Sequence, residues 1–378
     1  MSIRLGLFYP NTPCMQVKSR SIAAENPDLL DLDVHREVAQ AAEAIGLDYV
    51  FLADHWGSRG PHSRHSGVMD PMLFAPVLAM HLLASTEHLR CVTTLHTSWF
   101  HPMAIARMGA ALDQLSKGRW GINIVTGNGG GYGLISSYFD DLDHDQRYEL
   151  ASEVLEILTQ AWSQDVTEFN GKYFTIKGEL LGPKTYQQPR PLVVSAGASG
   201  AGRDFAARHA DYIFMPGSMG AEDMRVRMAD MHRIARDYGR PDGALKMQLH
   251  ASIIVRETAE EAMAVSNDLA ERIEPELVAE YITAWRGISL TYKEVHEALA
   301  GKDYKQMGLV GGAYKLHGSA DDVADRIESF YRDHGCQGIA LVMPIWKPEE
   351  IYRMGELLLP RLRAKGIWTP PSERGWTW

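Results

Sequence analysis

Cysteine is scarce. Three occur in 378 residues, Cys14, Cys91 and Cys336. Their odd number, wide spacing and lack of any CxxC or Cys/His ligand pattern argue against a disulfide framework and a zinc site, and favour a reducing compartment. Positive charge is not in excess either. The formal net charge is −10, so no global basic field would draw the chain to nucleic acid or an anionic membrane. No run of about 18 apolar residues occurs, and no membrane span is expected. The opening MSIRLGLFYP reads as a strand, without the apolar length or small-residue cleavage site of a signal peptide. The expected location is cytoplasmic.

Linkers rich in Pro or Ser, internal repeats and low-complexity tracts are also missing. What is present is an ordinary globular composition, 45% hydrophobic and 23% charged, with ample material for a core. Apolar runs of strand length alternate with amphipathic runs of helix length. Strand patterns lie at 3–9, 47–54, 89–97, 119–126, 191–199, 211–217, 245–257 and 338–344. Helix patterns lie at 32–44, 71–83, 102–115, 144–162, 203–209, 221–238, 259–272, 320–334 and 348–363. Asn170-Gly171 marks a hairpin within 167–176. Eight strand-plus-helix units without a linker predict α/β class and a (β/α)8 barrel in a single domain over 1–378. An insertion interrupts it at about 273–312, and an extended arm closes it at about 366–378. A doubly wound pair of sheets would need the missing linker.

In such a barrel the site lies at the C-terminal ends of the strands. Those ends read Asp54-His55, His96-Thr97, Asn123 to Thr126 with the glycine loop after it, Ala196-Gly197-Ala198-Ser199 and Pro216-Gly217-Ser218. A glycosidase-like carboxylate pair, a metal-ligating Asp/His/Glu cluster and a GxSxG elbow are absent. The strand ends therefore look built to bind rather than to ionise. The most informative stretch is 118–133. Trp120, Ile122 and Ile124 fall on one face of its strand, and Gly121, Asn123 and Val125 on the other. An amide inside such a strand costs roughly 1–3 kcal/mol unless it finds a partner, either a neighbouring strand or a ligand. Arg147 sits in the first turn of a helix, where a cation calls for an anion. Most of the fifteen histidines must be structural or solvated, His62 and His65 among the latter, and Cys91 reads as inert.

The runs HPMAIARMGAALDQLSKGR, RWGINIVTG, HDQRYELASEVLEIL, FNGKYFTIKG and VVSAGAS together resemble the bacterial-luciferase-like flavin-dependent monooxygenases. The nearest subgroup holds the alkanesulfonate, dimethylsulfone, dibenzothiophene-sulfone, nitrilotriacetate and pyrimidine enzymes, and the resemblance spans nearly the whole chain. It implies FMN, used as FMNH2 with O2, and NAD(P)H acting only through a separate NAD(P)H:flavin reductase. It further implies a small organic substrate attacked at a C–S, C–N or heteroaromatic ring bond through a flavin–oxygen adduct, no metal, and a homodimer or homotetramer. Carried over by position, Asp54 and His55 lie beside the isoalloxazine ring, and Asn123 touches its pyrimidine half. Tyr132 covers it, Arg147 and Tyr148 approach the ribityl and phosphate, and Gly197, Ser199 and Gly200 anchor the phosphate. Thr97 with Asn123 would line an oxygen pocket, and these two with His55 are the catalytic candidates. His96, Asn128, Gly130 and Tyr132 are the substrate candidates. Many relatives carry Trp after VTG; here Asn128 and three glycines follow, which points to an individual substrate preference. The same resemblance leaves three other readings: a flavin-degrading, riboflavin-lyase-like enzyme, an F420-dependent dehydrogenase, and a non-catalytic flavin-binding protein. The eight complete units argue against the last.

Overall fold

A computed structural model of the chain describes residues 2–127, 139, 141–197, 199–217, 219–286 and 304–378. Eleven strands occur among them: β1 (Arg4–Tyr9), β2 (Tyr49–Leu52), β3 (Arg90–His96), β4 (Trp120–Val125), β5 (Val166–Asn170), β6 (Thr175–Glu179), β7 (Leu192–Ser195), β8 (Tyr212–Met215), β9 (Lys246–Arg256), β10 (Tyr314–Ser319) and β11 (Cys336–Val342). Eight pair in parallel in the order β1-β2-β3-β4-β7-β8-β9-β11, and β11 returns to β1. The result is a closed (β/α)8 barrel of the expected type.

Strand alternation sorts the side chains into two populations. Phe8, Phe51, Val92, Val194, Tyr212, Ala340 and Val342 form a buried cluster inside the barrel. Leu7, Val50, Cys91, Ile122, Val193, Ile213 and Leu341 belong to the cluster between strands and helices. Along β4 the helix-facing set is Trp120, Ile122 and Ile124, as the alternation predicts. Trp120 meets Trp162 edge to face at 6.1 Å.

The helices follow the sequence pattern with instructive differences. The helix expected from 71 begins at Ala75, with Pro76 in its first turn. The one expected at 203 begins at Gly200, because Ser199 caps it by accepting the Gly202 N–H. The long loop after β1 contains a short helix, Arg20–Glu25. The hairpin forms as β5 and β6, with Asn170 paired to Thr175.

One strand was not foreseen. β10 pairs with the outer half of β9, Tyr314 opposite Ala251 through Ser319 opposite Arg256, where β8 has already ended. Its sequence, YKLHGS, hides the strand because His317 is a buried polar residue. That ring lies between Ser252 Oγ at 3.1 Å and Ser266 Oγ at 2.9 Å. Gly217 makes the hand-over from β8 to β10 possible: a Cβ there would lie 1.8 Å from the Tyr314 nitrogen.

The tail is not simply extended. It makes a helical turn, Pro371–Arg374, and folds under the N-terminal end of the barrel. Arg374 pairs with Asp48, whose other oxygen accepts the Leu5 N–H at 2.9 Å. Trp378 Nε1 donates to Gln187 Oε1 at 2.9 Å, and the Arg90 guanidinium lies 5.2 Å from the Trp378 ring centre. With that end covered, the barrel opens at the C-terminal ends of its strands. No described helix is long and apolar enough to cross a membrane.

Candidate active site

A cavity of about 220 Å³ sits at those strand ends. Its floor is aromatic. Phe8 and Phe214 line it with ring centres 5.8 Å apart, Phe51 packs against both at 5.4 and 5.1 Å, and His250 lies 4.6 Å from Phe8. One wall comes from the ends of β4 and β7: Val125, Thr126, Gly127, Ser195, Ala196 and Gly197, with His144 and Tyr148 from the start of the helix His144–Ser163. The Tyr148 hydroxyl faces the Ser199 and Thr126 hydroxyls. Gly197 and Gly202 are pressed together: a Cβ on Gly197 would lie 2.5 Å from the Tyr148 hydroxyl and 2.8 Å from Gly202 Cα. Gly127 turns with φ of +91° against Ser98, which a side chain would oppose. The helix Gly200–His209 starts behind this wall, with Gly202 packed on Gly197.

The facing wall is made of side chains. Met15, Gln16 and Lys18 follow β1, Arg59 follows β2, and Tyr281 and Gly312 come from the excursion between β9 and β10. In barrel order β1 lies opposite β7. Lys18 is only 2% exposed. Its Nζ donates to Gln16 O at 2.7 Å and lies 4.2 Å from the Tyr281 ring centre. Arg59 approaches the same ring at 4.9 Å. No carboxylate pairs with Lys18 among the described residues. Burial first, then Arg59, push its ammonium down to about 7. Burying an ion costs several kcal/mol, and an aromatic face returns only about 0.5–2 kcal/mol of that.

A family model described as luciferase-like monooxygenase matches residues 3–338. The chain belongs to that family. It is accordingly a flavin-dependent monooxygenase, in line with the resemblance read from the sequence motifs. It is 27% identical over 367 residues to the FMNH2-dependent dimethylsulfone monooxygenase of Pseudomonas putida, covering 96% of this chain and 95% of that one. It is 29% identical to the long-chain alkane monooxygenase of Geobacillus thermodenitrificans, covering 91% and 86%. Among solved structures, riboflavin lyase with modified FMN and riboflavin superposes with a TM-score of 0.86 at 25% identity, covering 98% of this chain and 93% of that one.

In this monooxygenase, the cavity brings together five of the residues singled out from sequence: Asp54, His55, His96, Tyr148 and Gly197. Asp54 Oδ2 accepts the Ala75 N–H at 3.0 Å, serving as a remote cap for the helix Ala75–Ala84. Burial raises its carboxyl to about 7. His96 Nε2 lies 3.0 Å from Asp54 O. Burial pushes His55 down to about 3 and His96 to about 4, so both imidazoles are neutral at pH 7 and act as hydrogen-bonding groups, not charges.

Other expected residues stand behind the lining. Asn123 faces the barrel interior two residues below Val125. Its Nδ2 donates to Thr94 Oγ1 at 3.0 Å, and its buried Oδ1 has no partner among the described residues. The threonine that meets Asn123 is therefore Thr94 and not Thr97. The two are register partners across β3 and β4, whereas Thr97 lies past the end of β3 with its N–H on Val125 O at 2.9 Å. Arg147 Nη1 donates to Leu142 O at 3.0 Å, and its buried Nε is unpartnered among the described residues. Ser199 is the helix cap. Nothing lies within 4 Å of a Cβ built on Gly200, so Gly200 is not demanded by space as Gly197 and Gly202 are. Asn128, Gly130 and Tyr132 lie outside the described residues. His62 and His65 are exposed, as expected.

Sequence reading missed Gln16, Lys18, Arg59, His250 and Tyr281. No local motif marks them.

Proposed function

We propose that the enzyme uses FMN, taken up as FMNH2 from a separate NAD(P)H:flavin reductase, and inserts oxygen from O2 into a small organic substrate at a C–S, C–N or heteroaromatic ring bond. The observation that carries this reading is the β4–β7 wall. Gly197 against Gly202, the Tyr148 hydroxyl facing Ser199 and Thr126, and the start of the helix Gly200–His209 make a cradle of N–H and hydroxyl donors open to a phosphate. Near it two buried polar atoms, Asn123 Oδ1 and Arg147 Nε, lack partners among the described residues, which suits a bound heteroaromatic ring and its polar tail. These residues fit FMN, and relatives named for FMNH2 cover nearly the whole chain.

Bound there, reduced flavin supplies the electrons that activate O2. The protein's share is to orient and to exclude water. The Phe8–Phe51–Phe214 floor keeps the centre apolar. Neutral His55 and His96 offer hydrogen bonds without adding charge, and Asp54, near 7, is the lining carboxyl able to hold or release a proton in the neutral range. The test is an anaerobic titration with FMN, FMNH2 and F420, followed by admission of ¹⁸O2 with candidate substrates. FMNH2 binding and label in an organic product are expected. No flavin binding, or a preference for F420, overturns the reading.

The likeness to riboflavin lyase favours a second reading in which the organic substrate is itself a flavin. Incubation with riboflavin plus FMNH2 and O2 separates the two by whether riboflavin is consumed.

A further inference from the structure

The wall opposite the cradle holds a buried cation with no counter-ion among the described residues. The Lys18 ammonium has three N–H donors, and one is spent on Gln16 O. The described charge that acts on it is the Arg59 guanidinium, which repels it. Beside it Gln16 Nε2 is buried and unpartnered among the described residues, and so is His250 Nε2. Gln16, Lys18 and His250 all line the cavity. Beyond Gln16 O, then, no described acceptor answers the Lys18 ammonium, and none answers the Gln16 amide beside it.

The arrangement is held firmly. Lys18 N–H donates to Gly308 O at 2.9 Å, and Lys18 O accepts the Glu274 N–H at 2.9 Å. On the other side, Cys14 N–H bonds Gly67 O and Met69 N–H bonds Cys14 O, at 2.8 and 2.9 Å. Gly311 brings the chain close to Gln16: a Cβ there would lie 2.9 Å from its Nε2 and 3.1 Å from the Tyr281 hydroxyl. Nearby carboxylates are engaged elsewhere. Glu274 pairs with Arg20, and Glu280 accepts the His62 and Ser63 N–H groups at 2.7 Å.

We propose that Lys18, with Gln16 beside it, is a specificity-determining anion subsite, and that the substrate of this enzyme carries a carboxylate or sulfonate group that docks there. The inference rests on reading the opposite wall as the flavin site, since that leaves the Lys18 wall to the substrate. An uncharged substrate such as a sulfone, an alkane or riboflavin would gain nothing from a buried ammonium and would leave it uncompensated. A bidentate oxyanion supplies the missing charge and the missing acceptors together.

The flavin phosphate has the same chemistry, and the test separates the two sources. Full-length protein is titrated calorimetrically with short straight-chain carboxylates, the matching sulfonates and the matching primary amides. FMN is titrated in parallel, and all titrations are repeated with Lys18→Met. In the wild type, at least one anion is expected to bind about tenfold or more tightly than its amide. Lys18→Met is expected to abolish that preference while FMN and amide affinities stay within about twofold. If no anion outbinds its amide in the wild type, the proposal is overturned without recourse to a variant. An FMN loss matching the anion loss in Lys18→Met also overturns it, by giving Lys18 to the flavin phosphate. Failure of FMN to bind while the anion preference persists overturns the flavin reading instead.

Discussion

The two walls of the cavity present donors by different means. The β4–β7 wall uses backbone and small hydroxyls drawn from three compact segments, 123–127, 144–148 and 195–202. The facing wall uses long side chains from the loop after β1, the loop after β2, β9 and the excursion before β10. A backbone cradle is cheap to hold rigid, because the elements that carry it are already hydrogen-bonded. A side-chain wall must have each group positioned by tertiary contact, and it can place a full charge where a backbone cannot. The first kind suits a cofactor held the same way throughout a family. The second suits a substrate that differs between members.

The largest effect should come from filling the cradle. Gly197→Ala puts a methyl 2.8 Å from Gly202 Cα, a backbone atom that cannot swing aside, and 2.5 Å from the Tyr148 hydroxyl. FMN affinity is expected to fall about 100-fold or more, roughly 2.7 kcal/mol, in a fluorescence titration. Gly200→Ala, with nothing within 4 Å, is the matched control and should change it by less than about threefold. Equal effects at the two glycines would mean that close backbone approach is not what the wall provides. Neither substitution should alter carboxylate binding at the other wall.

Legibility in the sequence divides along the same line. All eight barrel strands, the hairpin and the Ser199 region are visible locally, because a strand's period, an Asn-Gly turn and a glycine-rich run before a helix are written in consecutive residues. β10 is not visible, because His317 looks like surface until Ser252 and Ser266 arrive from 65 and 51 residues away. The family resemblance makes Thr97 the mate of Asn123. Register decides otherwise, since Thr94 is the residue opposite Asn123, and register is a property of two strands, not of one. Lys18 was passed over for the same reason: its burial depends on Gly308, Glu274 and Tyr281, none of them near it in sequence.

A second, smaller effect tests the charge of the side-chain wall. The Lys18 ammonium is lowered to about 7 by burial and Arg59. An anion binds only its protonated form, so carboxylate affinity should be flat below about pH 6 and fall up to about tenfold per unit above pH 7. Amide affinity should not follow it. The titratable groups beside Lys18 do not reproduce this pattern by themselves. The Cys14 thiol is raised by burial, and His55, His96 and His250 are held near 3, 4 and 3, uncharged over the whole interval. Asp54, raised to about 7, gains negative charge over the same range and weakens anions in the same direction. Asp54→Asn removes that share and Lys18→Met the remainder. A pH profile unchanged in Lys18→Met would assign the whole dependence to Asp54. The folding linkage has the matching sign. With a folded value near 7 and an ordinary value of 10.5, the unfolded chain binds the extra proton between the two, so the Lys18 contribution to stability rises as pH rises through that window.

The smallest effect asks whether the walls act independently. Tyr148→Phe deletes the hydroxyl that faces Ser199 and Thr126 and leaves two small hydroxyls able to turn elsewhere. It should weaken FMN by about threefold to tenfold, near 1 kcal/mol. The strands carrying the two walls face each other across the barrel, with no described contact between Tyr148 and Lys18. In the double variant Tyr148→Phe/Lys18→Met, the losses for FMN and for a carboxylate should therefore add within about 0.5 kcal/mol. A larger coupling would mean that one occupant spans both walls. The cavity would then hold a single long ligand anchored at each end, and the division into a cofactor wall and a substrate wall would have to be given up.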